Sequence, residues 1–577
     1  MTEKLQSTFT TNFETTGHVV TSEGLSRRDV MRLGGMSAGA AAAYLLMGQA
    51  AGAPFRAQDA TPPPGSEGAP KKGGELRVGM ADEPDTMDPH RTESSSMWSI
   101  GWQLFDTMLI SNPEGDIFPS LFDSWELADD SVTYTFTLHP GVTFHDGSPW
   151  NAEAAKYNFD RVVDPDTGSI LSRDDLGPYA SSEVIDDMTL KVTLSEPYGP
   201  FLRMLTQMEF GVLPATAADM AVEDFGQKPV ASGPFSFVEW VLQDHLTLAA
   251  NPNYNWAPQD IYAHQGPPHV DQITFKFLTE AETRIAALEA GEVDAVFPVP
   301  EIDVPRLEAE GGYTIVKAPV SGGPLSFVVN ANRFPTDDNA VRLAINKGLD
   351  RQQMMDTLYA GQYEPGYGPL TPITFSYWAG CEEVNAFDLE GAKKMLEDAG
   401  WVMNGDVYEK DGQPLELQVY VFGTSGPVGE AFQSAIKPLG VDAKITVSPF
   451  TDQKAVGFEG RHNLMLGRFD APDPRILRLL YHSENFGETG FMWTHFQETN
   501  PDLQATLDEA LETGDTETDV DARAAAYTQV QQIIVENGLA VPMRYDHMIA
   551  GMRDYVKGWA MNDLGFQPRL YDVWLDQ

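Results

Sequence analysis

The chain has 577 residues, of which 85 are acidic and 38 basic, so its formal net charge at pH 7 is −47. A surface this acidic repels phosphate backbones and anionic lipid headgroups, which argues against nucleic acid as a partner. The length exceeds what one hydrophobic core usually serves, so we expect two or three lobes.

The N-terminus has the parts of an export signal. Arg27 and Arg28 precede an apolar stretch rich in Ala and Gly at 36–46, and the small residues at 51–53 offer a cleavage site. The arginine pair resembles a twin-arginine signal, which implies export by the twin-arginine translocase. A permanent transmembrane anchor is the alternative, but the stretch is short and only weakly apolar. The sequence therefore predicts a signal peptide at 1–53 and a disordered leader, rich in Pro and Gly, at 54–74.

A segment of readable local order follows at 132–162. Apolar residues alternate with threonines from Val132 to Leu138, which is the period of a half-buried strand. A second short strand is predicted at 142–144, and Asn151 is placed to cap a helix with one apolar face. The pattern predicts a strand–strand–helix unit.

Helix-to-strand patterns recur later in the chain. An apolar stripe at 281–289 ends before Gly291 and an apolar run at 293–296. Asp337 and Asp338 precede a second stripe at 341–348, and a third stripe at 524–534 leads into a strand-like run at 539–545. We interpret the stripes as core packing in an α/β protein.

Catalytic motifs are scarce. The sequence has no GxxxxGK[ST] phosphate loop, HExxH zinc helix, GxSxG elbow or CxxC pair, and we predict no cofactor and no metal. Ser434 and Lys437 fit the SxxK pattern of acyl-serine enzymes, but no KTG-type strand follows. A helix surface is the simpler interpretation, and an acyl-serine enzyme is the alternative of another class.

Several segments together resemble one protein family. YTFTLHPGVTFHDGSPWNAEAAKYNFDR at 134–161 is similar to the signature of the family 5 extracellular solute-binding proteins, the dipeptide/oligopeptide-type receptors of ABC importers. Blocks similar to later parts of the family follow in the same order, at 231–240, 251–256, 270–299, 326–355, 388–401 and 521–545. The resemblance implies a two-lobed α/β periplasmic-binding-protein fold, type II and dipeptide-binding-like, with an additional small α+β lobe.

The resemblance also implies a function. It predicts a monomeric receptor, not an enzyme, that captures a di- or oligopeptide and delivers it to an inner-membrane ABC permease. The alternative keeps the fold for a non-peptide ligand, such as an opine-like compound, a sugar, a metal chelate or another anion. The only cysteine is Cys381, so no cysteine near the cleavage site is available for a lipid anchor. We therefore expect a freely diffusing protein in the periplasm.

The layout of the family predicts how the chain is divided. We expect a discontinuous base lobe at 75–110, 208–317 and 547–577, an extra lobe at 111–207, and a moving lobe that closes over the ligand at 318–546. The connections between base and moving lobes should act as hinges, and the residues expected to change conformation there are Gly322, Gly323 and Pro542.

The resemblance also points to ligand-binding residues. Within GRFDAPDP at 467–474, Asp470 matches the aspartate that pairs with a peptide's N-terminal ammonium. Arg468 stands where the family's peptide receptors usually have an aromatic residue, and its guanidinium could clamp a carboxylate. Aromatic residues expected to line the cleft are Trp98, Tyr377, Trp378 and Trp493. For Asp470 the alternative is a role in capping the following turn, and for the aromatic residues it is packing.

Overall fold

The structure, a computed structural model, describes residues 69–113, 115–169, 171–488 and 490–577. The predicted signal peptide, with Arg27 and Arg28, lies outside the described residues, as does the predicted leader up to residue 68. The end of that leader bonds to the folded chain: Lys71 Nζ lies 2.7 Å from Asp576 Oδ1, and Gly73 N donates to His269 O at 2.8 Å. Ordered contacts therefore begin before the predicted boundary at residue 74.

A seven-stranded sheet is built from three separate parts of the chain. Its strands, in spatial order, are Tyr313–Pro319, His547–Arg553, Ala295–Phe297, Glu75–Met80, Gln272–Phe277, His245–Ala250 and Phe235–Val241. The central strand Glu75–Met80 pairs in parallel with both of its neighbours, and Leu76 and Val78 on it are fully buried. Central strands of this kind are apolar because both faces are covered.

A six-stranded sheet is built from the part of the sequence between the strands Tyr313–Pro319 and His547–Arg553 of the first sheet. Its strands, in spatial order, are Glu364–Pro365, Ala540–Tyr545, Leu325–Val329, Leu464–Gly467, Glu416–Phe422 and Asp442–Ser448. Successive side chains of a strand point to opposite faces, so Phe327 packs into one hydrophobic core and Val328 into the other. Helices cover both faces.

A four-stranded antiparallel sheet contains the segment described first in the sequence. Its strands, in spatial order, are Phe122–Leu127, Thr133–Leu138, Thr189–Leu194 and Tyr179–Asp186. The predicted helix is confirmed as Ala152–Val163, and Asn151 caps it by accepting a hydrogen bond from Ala154 N at 2.9 Å. The predicted strand at 142–144 is wrong, because this stretch folds back on itself in a tight loop and contributes only one isolated bridge, between Thr143 and Pro149.

Smaller elements complete the described chain. A three-stranded sheet consists of Val402–Asn404, Val407–Lys410 and Gln413–Pro414. Two-stranded ribbons pair Leu109–Ser111 with Ile117–Pro119, Val556–Lys557 with Trp574–Leu575, and Ala560–Met561 with Pro568–Arg569. Short 3-10 turns occur at Met208–Phe210, Ala215–Asp219, Lys437–Leu439, Phe450–Asp452 and Ser483–Asn485.

The helices pack on the sheets through their apolar stripes. Up to residue 310 they are Ser95–Leu104, Ala152–Val163, Leu171–Asp175, Phe201–Met204, Val222–Gln227, Ala281–Ala290 and Val304–Glu310. Beyond it they are Asn339–Gly348, Arg351–Tyr359, Gly380–Val384, Leu389–Asp398, Gly426–Ile436, Gln453–Phe458, Ile476–Tyr481, Phe496–Thr499, Pro501–Thr516 and Val520–Glu536.

Two of the predicted helix ends are confirmed. Gly291 ends Ala281–Ala290 in the left-handed conformation, and Asp338 caps Asn339–Gly348 by accepting from Ala340 N at 3.0 Å. Among the described residues, no helix has the length and apolar character needed to cross a membrane.

Candidate functional site

The chain passes twice between the seven-stranded and six-stranded sheets. The first crossing is the segment 320–324, and the second is the single residue Asp546, which lies between the strands Ala540–Tyr545 and His547–Arg553. Connections this short bring the two crossings and their neighbours into a small region. The candidate site is built around it.

The first crossing is held against the loop that follows the strand Leu464–Gly467, in the predicted moving lobe. Gly322 forms a bridge with Asp470, and Gly323 N donates to Phe469 O at 2.8 Å. Gly322 has φ +107°, and a Cβ there would lie 2.3 Å from Ala471 N, so both the backbone conformation and the close approach require glycine. Gly322 and Gly323 thus lie in the connection where hinge residues were predicted. Pro542 does not, because it lies inside the six-stranded sheet, paired with Ser326.

Four charged side chains meet at the second crossing. Arg468 donates two hydrogen bonds to Asp470, from Nε to Oδ1 at 2.9 Å and from Nη2 to Oδ2 at 2.8 Å. Asp546 lies between two arginines: its Oδ2 is 2.9 Å from Arg468 Nε and its Oδ1 is 2.6 Å from Arg544 Nε. Two positive and two negative groups therefore balance. We call Arg468, Asp470, Arg544 and Asp546 the crossing cluster.

Burial and pairing act in opposite directions on these groups. Burial raises the pKa of Asp470 above its ordinary value, although Arg468 lowers it. Burial also raises the pKa of Asp546, but Arg468 and Arg544 together outweigh this effect and hold that pKa below its ordinary value. The side chains of Asp470 and Asp546 are only 12% and 5% exposed, so each depends on its arginine partners for stabilisation of its charge.

The aromatic residues predicted for the cleft fall into two groups. Trp98 is half-buried against a small cluster that contains Val320 of the first crossing, and its buried Nε1 has no hydrogen-bond partner among the described residues. The Tyr377 hydroxyl lies 3.0 Å from the hydroxyl of Tyr545, the residue just before the second crossing. Both side chains therefore lie beside the crossings.

The other two aromatic residues lie elsewhere in the moving lobe. Trp493 is fully buried in its hydrophobic core, and its Nε1 donates to Gly490 O at 3.0 Å. Trp378 is half-buried, and its backbone N donates to Gln531 Oε1 at 3.0 Å, beside the helix Val520–Glu536. For Trp493 the structure shows core packing rather than an open cleft wall, because its ring is enclosed and its polar atom is satisfied.

A third region of contact joins the predicted moving lobe to the predicted extra lobe. Arg475 Nη1 donates to Asp175 Oδ1 at 2.8 Å, and Gly199 N donates to Asp515 O at 2.8 Å. The lobes therefore meet at the crossings and again at this third region.

The sequence analysis did not single out four charged residues of these contacts, which are Asp175, Arg475, Arg544 and Asp546. Arg544 lies at the end of an apolar run that was interpreted as a strand, and Asp546 follows that run. A local signal for this site does exist in the sequence. It is the pair Arg544 and Asp546, two opposite charges two residues apart at the end of an apolar strand. Pairing such as that of Arg475 with Asp175 spans 300 residues and has no local signal.

Evidence for catalysis is weak in the described residues. Ser434 and Lys437 are both solvent-exposed, at the end of the helix Gly426–Ile436 and just after it. No group of three or more His, Cys, Asp or Glu side chains is placed to hold a metal ion in the part of the chain that the structure describes.

Two α/β lobes joined by two short crossings, with charged and aromatic groups beside them, define a bilobal binding protein. Residues 116–488 match the bacterial extracellular solute-binding proteins, family 5. The glutathione-binding protein GsiB of Salmonella typhimurium is 26% identical over 493 residues, covering 83% of this chain and 91% of that protein.

Solved structures with the same fold carry different ligands. NikA from Brucella suis, in complex with Fe(III)-EDTA, has a TM-score of 0.75 and 25% identity, covering 87% of this chain and 100% of that chain. The oligopeptide-binding protein AppA from Bacillus subtilis, in complex with a nonapeptide, has a TM-score of 0.64 and 21% identity, covering 88% of this chain and 100% of that chain.

The chain belongs to family 5 of the bacterial extracellular solute-binding proteins. It is thus a substrate-binding receptor of an ABC importer, with the type II periplasmic-binding-protein fold. The relatives are transport-binding proteins rather than enzymes, and the family acts outside the cytoplasm.

Proposed function

We propose that the receptor captures a small zwitterionic solute, most simply a short peptide, between the base and moving lobes beside the crossing cluster. The observation that carries the proposal is the charge balance of that cluster, in which Arg468 occupies the carboxylate of Asp470. A ligand with one ammonium and one carboxylate can enter without leaving a charge unpaired. The ligand's ammonium would pair with Asp470, and its carboxylate would pair with Arg468 in place of Asp470.

Other ligand types fit this balance less well. A ligand with only negative charges would pair with Arg468 and leave Asp470 buried without a cation, which is strongly unfavourable. A neutral sugar has no charged group that could replace either partner of the Arg468–Asp470 ion pair. Names of relatives support the same direction, since GsiB is described as glutathione-binding and AppA was solved with a nonapeptide. The likeness to NikA with Fe(III)-EDTA keeps a chelate as the second candidate.

Calorimetry tests the ligand assignment. Glutathione, a panel of di- and tripeptides and their N-acetylated forms would be titrated into the wild type and Asp470→Asn. We expect the free-amine ligands to lose about 2–5 kcal/mol in the variant, mostly as faster release. The matched control is Asp406→Asn, an exposed carboxylate of the same lobe, which should change nothing.

Two results would overturn the assignment. One is equal affinity of the wild type for a ligand and its N-acetylated form, and the other is an Asp470→Asn variant that binds as the wild type does. In either case the ligand is not held by its amine, and the non-peptide class becomes the better hypothesis. Mass spectrometry of the solute that co-purifies with the protein would then identify it directly.

The proposal also covers export of the receptor from the cytoplasm. The arginine pair at Arg27 and Arg28 supports export by the twin-arginine translocase, followed by cleavage near residue 53. The only cysteine, Cys381, lies far along the sequence from the predicted cleavage site, so no thiol near that site supports a lipid anchor. We therefore propose a monomer that diffuses freely in the periplasm and carries its solute to the permease.

A further inference from the structure

The contact between the extra lobe and the moving lobe consists of several specific interactions. Arg475 donates to Asp175 at 2.8 Å, and its guanidinium also lies 5.6 Å from the centre of the Tyr198 ring. One residue further, Gly199 N donates to the backbone oxygen of Asp515 at 2.8 Å. An ion pair, a cation–π contact and a backbone hydrogen bond thus connect two short segments of the extra lobe to the moving lobe.

This contact joins parts of the protein that the hinge would move apart. The extra lobe is inserted in the base lobe, between the strands Glu75–Met80 and Phe235–Val241. The moving lobe is connected to the base lobe only through 320–324 and Asp546. Opening at these crossings therefore breaks the contacts of Asp175 and Gly199 without breaking any strand pairing.

The backbone of Gly199 lies too close to the opposite lobe to leave room for a side chain. A Cβ at this position would lie 2.3 Å from the backbone oxygen of Glu517 and 2.8 Å from Arg523 Nε, both in the moving lobe. The backbone of Gly199 has no positive φ in the left-handed range, so its own conformation does not require glycine. The space for a side chain is taken by the opposite lobe alone.

Both sides of the contact are held in position by neighbouring charges. In the moving lobe, Asp473 accepts two hydrogen bonds from Arg523, at 2.9 and 2.6 Å, two residues before Arg475. In the extra lobe, burial raises the pKa of Asp175 to about 6, although Arg475 lowers it. Burial also raises the pKa of Glu209, which interacts with Asp175 from the start of the second base-lobe segment. The charged groups that act on Asp175 are Arg475, Asp174, Asp473 and Glu209.

We propose that Asp175, Tyr198 and Gly199 of the extra lobe form a clasp with Arg475, Asp515 and Glu517 of the moving lobe, which holds the receptor closed. The inference rests on the proposed hinge closure and gives the extra lobe a function in it. Closure then depends on protein–protein contacts in addition to those with the solute. The clasp sets how long a bound solute is retained.

Distance measurement by double electron–electron resonance tests the clasp. Spin labels would be placed at Ser181→Cys in the extra lobe and Glu509→Cys in the moving lobe, both at exposed positions, while the native Cys381 is buried and stays unlabelled. Distances would be recorded without added solute and with glutathione. We expect a short distance, from the closed form, in the wild type.

Two substitutions, one in each lobe, should weaken the clasp. Gly199→Val inserts a side chain where the other lobe lies, and Arg475→Ala removes the ion pair, so each should lower the ratio of closed to open form roughly tenfold. The controls are Glu196→Val, an exposed neighbour that should leave the distances unchanged, and the charge exchange Asp175→Arg with Arg475→Asp, which should restore part of the closed form.

The outcomes separate the clasp from the proposed function. A wild type without the short distance under both conditions, or variants with unchanged distances, would overturn the clasp. If glutathione or a peptide still bound in that case, the receptor assignment would stand. If instead the variants opened the protein while no peptide bound to the wild type, the clasp would stand and the proposed ligand class would fail.

Discussion

Replacing Arg468 with Ala should reveal how strongly the crossing cluster depends on its charge balance. The substitution removes both hydrogen bonds to Asp470 and one of the two arginines beside Asp546. Asp470 is 12% exposed, so its charge would remain largely buried without a cation. Breaking such a pair by removing one partner typically destabilises by about 3–5 kcal/mol.

Protonation sets an upper limit to this penalty. Asp470 can become neutral instead of remaining charged, and each pH unit above the ordinary aspartate pKa of about 3.9 costs about 1.4 kcal/mol. The limit is therefore about 4 kcal/mol at pH 7 and about 1.5 kcal/mol at pH 5. We expect Arg468→Ala to be clearly destabilising at pH 7 and much less so at pH 5.

Urea and thermal unfolding at pH 5 and pH 7 would measure the effect. The double variant Arg468→Ala with Asp470→Asn should recover most of the loss, because no buried charge is then left without a partner. Arg461→Ala is the matched control, since this exposed arginine of the same lobe pairs with Glu459 at the surface and should cost less than about 1 kcal/mol. A loss of stability at pH 7 no larger than the control's, or one independent of pH, would show that the charge of Asp470 does not depend on Arg468.

Three further predictions concern export, acid sensitivity and the core. Replacing both Arg27 and Arg28 with Lys should leave the precursor in the cytoplasm, as measured by fractionation, and normal arrival in the periplasm would contradict the export assignment. Because burial raises the pKa of Asp175 to about 6, this group contributes stability that is complete below about pH 4 and is lost as the pH rises through 6. The wild type should thus lose up to about 3 kcal/mol relative to Asp175→Asn between pH 4 and pH 7, and a difference that stays flat with pH would be inconsistent with this. Trp493→Ala should lower the free energy of unfolding by about 3–5 kcal/mol, because it empties a fully buried site, and a melting temperature within a degree of the wild type would show that the ring is not core.

Much of the local structure follows from the sequence. The caps at Asn151 and Asp338 and the helix end at Gly291 depend on residues within three or four positions, so their signals are local. The strand at Thr133–Leu138 follows from strict alternation. The stretch 142–144 has the composition of a strand but too little chain before Pro149 to form more than a bridge.

The sequence indicates the approximate location of the candidate site but not which of its side chains pair with each other. Gly322 and Gly323 were placed in a connection because the layout of the family puts one there, and adjacent glycines can absorb a change in backbone conformation. The pairing of Arg468 with Asp470 was not foreseen, because the sequence suggests a ligand for each of them and not that they bond to each other. Trp98 and Trp493 have similar sequence surroundings, and only the tertiary fold decides that the first borders a crossing and the second fills a core.

Small-angle scattering combined with thermal melting would show whether the receptor closes on a solute. Glutathione and a panel of short peptides would be added to the mature protein, and the radius of gyration and melting temperature recorded for each. A bound solute should lower the radius of gyration and, at a hundredfold excess over Kd, should stabilise the folded state by about 2.7 kcal/mol. A radius of gyration and melting temperature unchanged by every peptide, amino-acid conjugate, chelate and sugar tested would contradict a receptor that closes on its ligand.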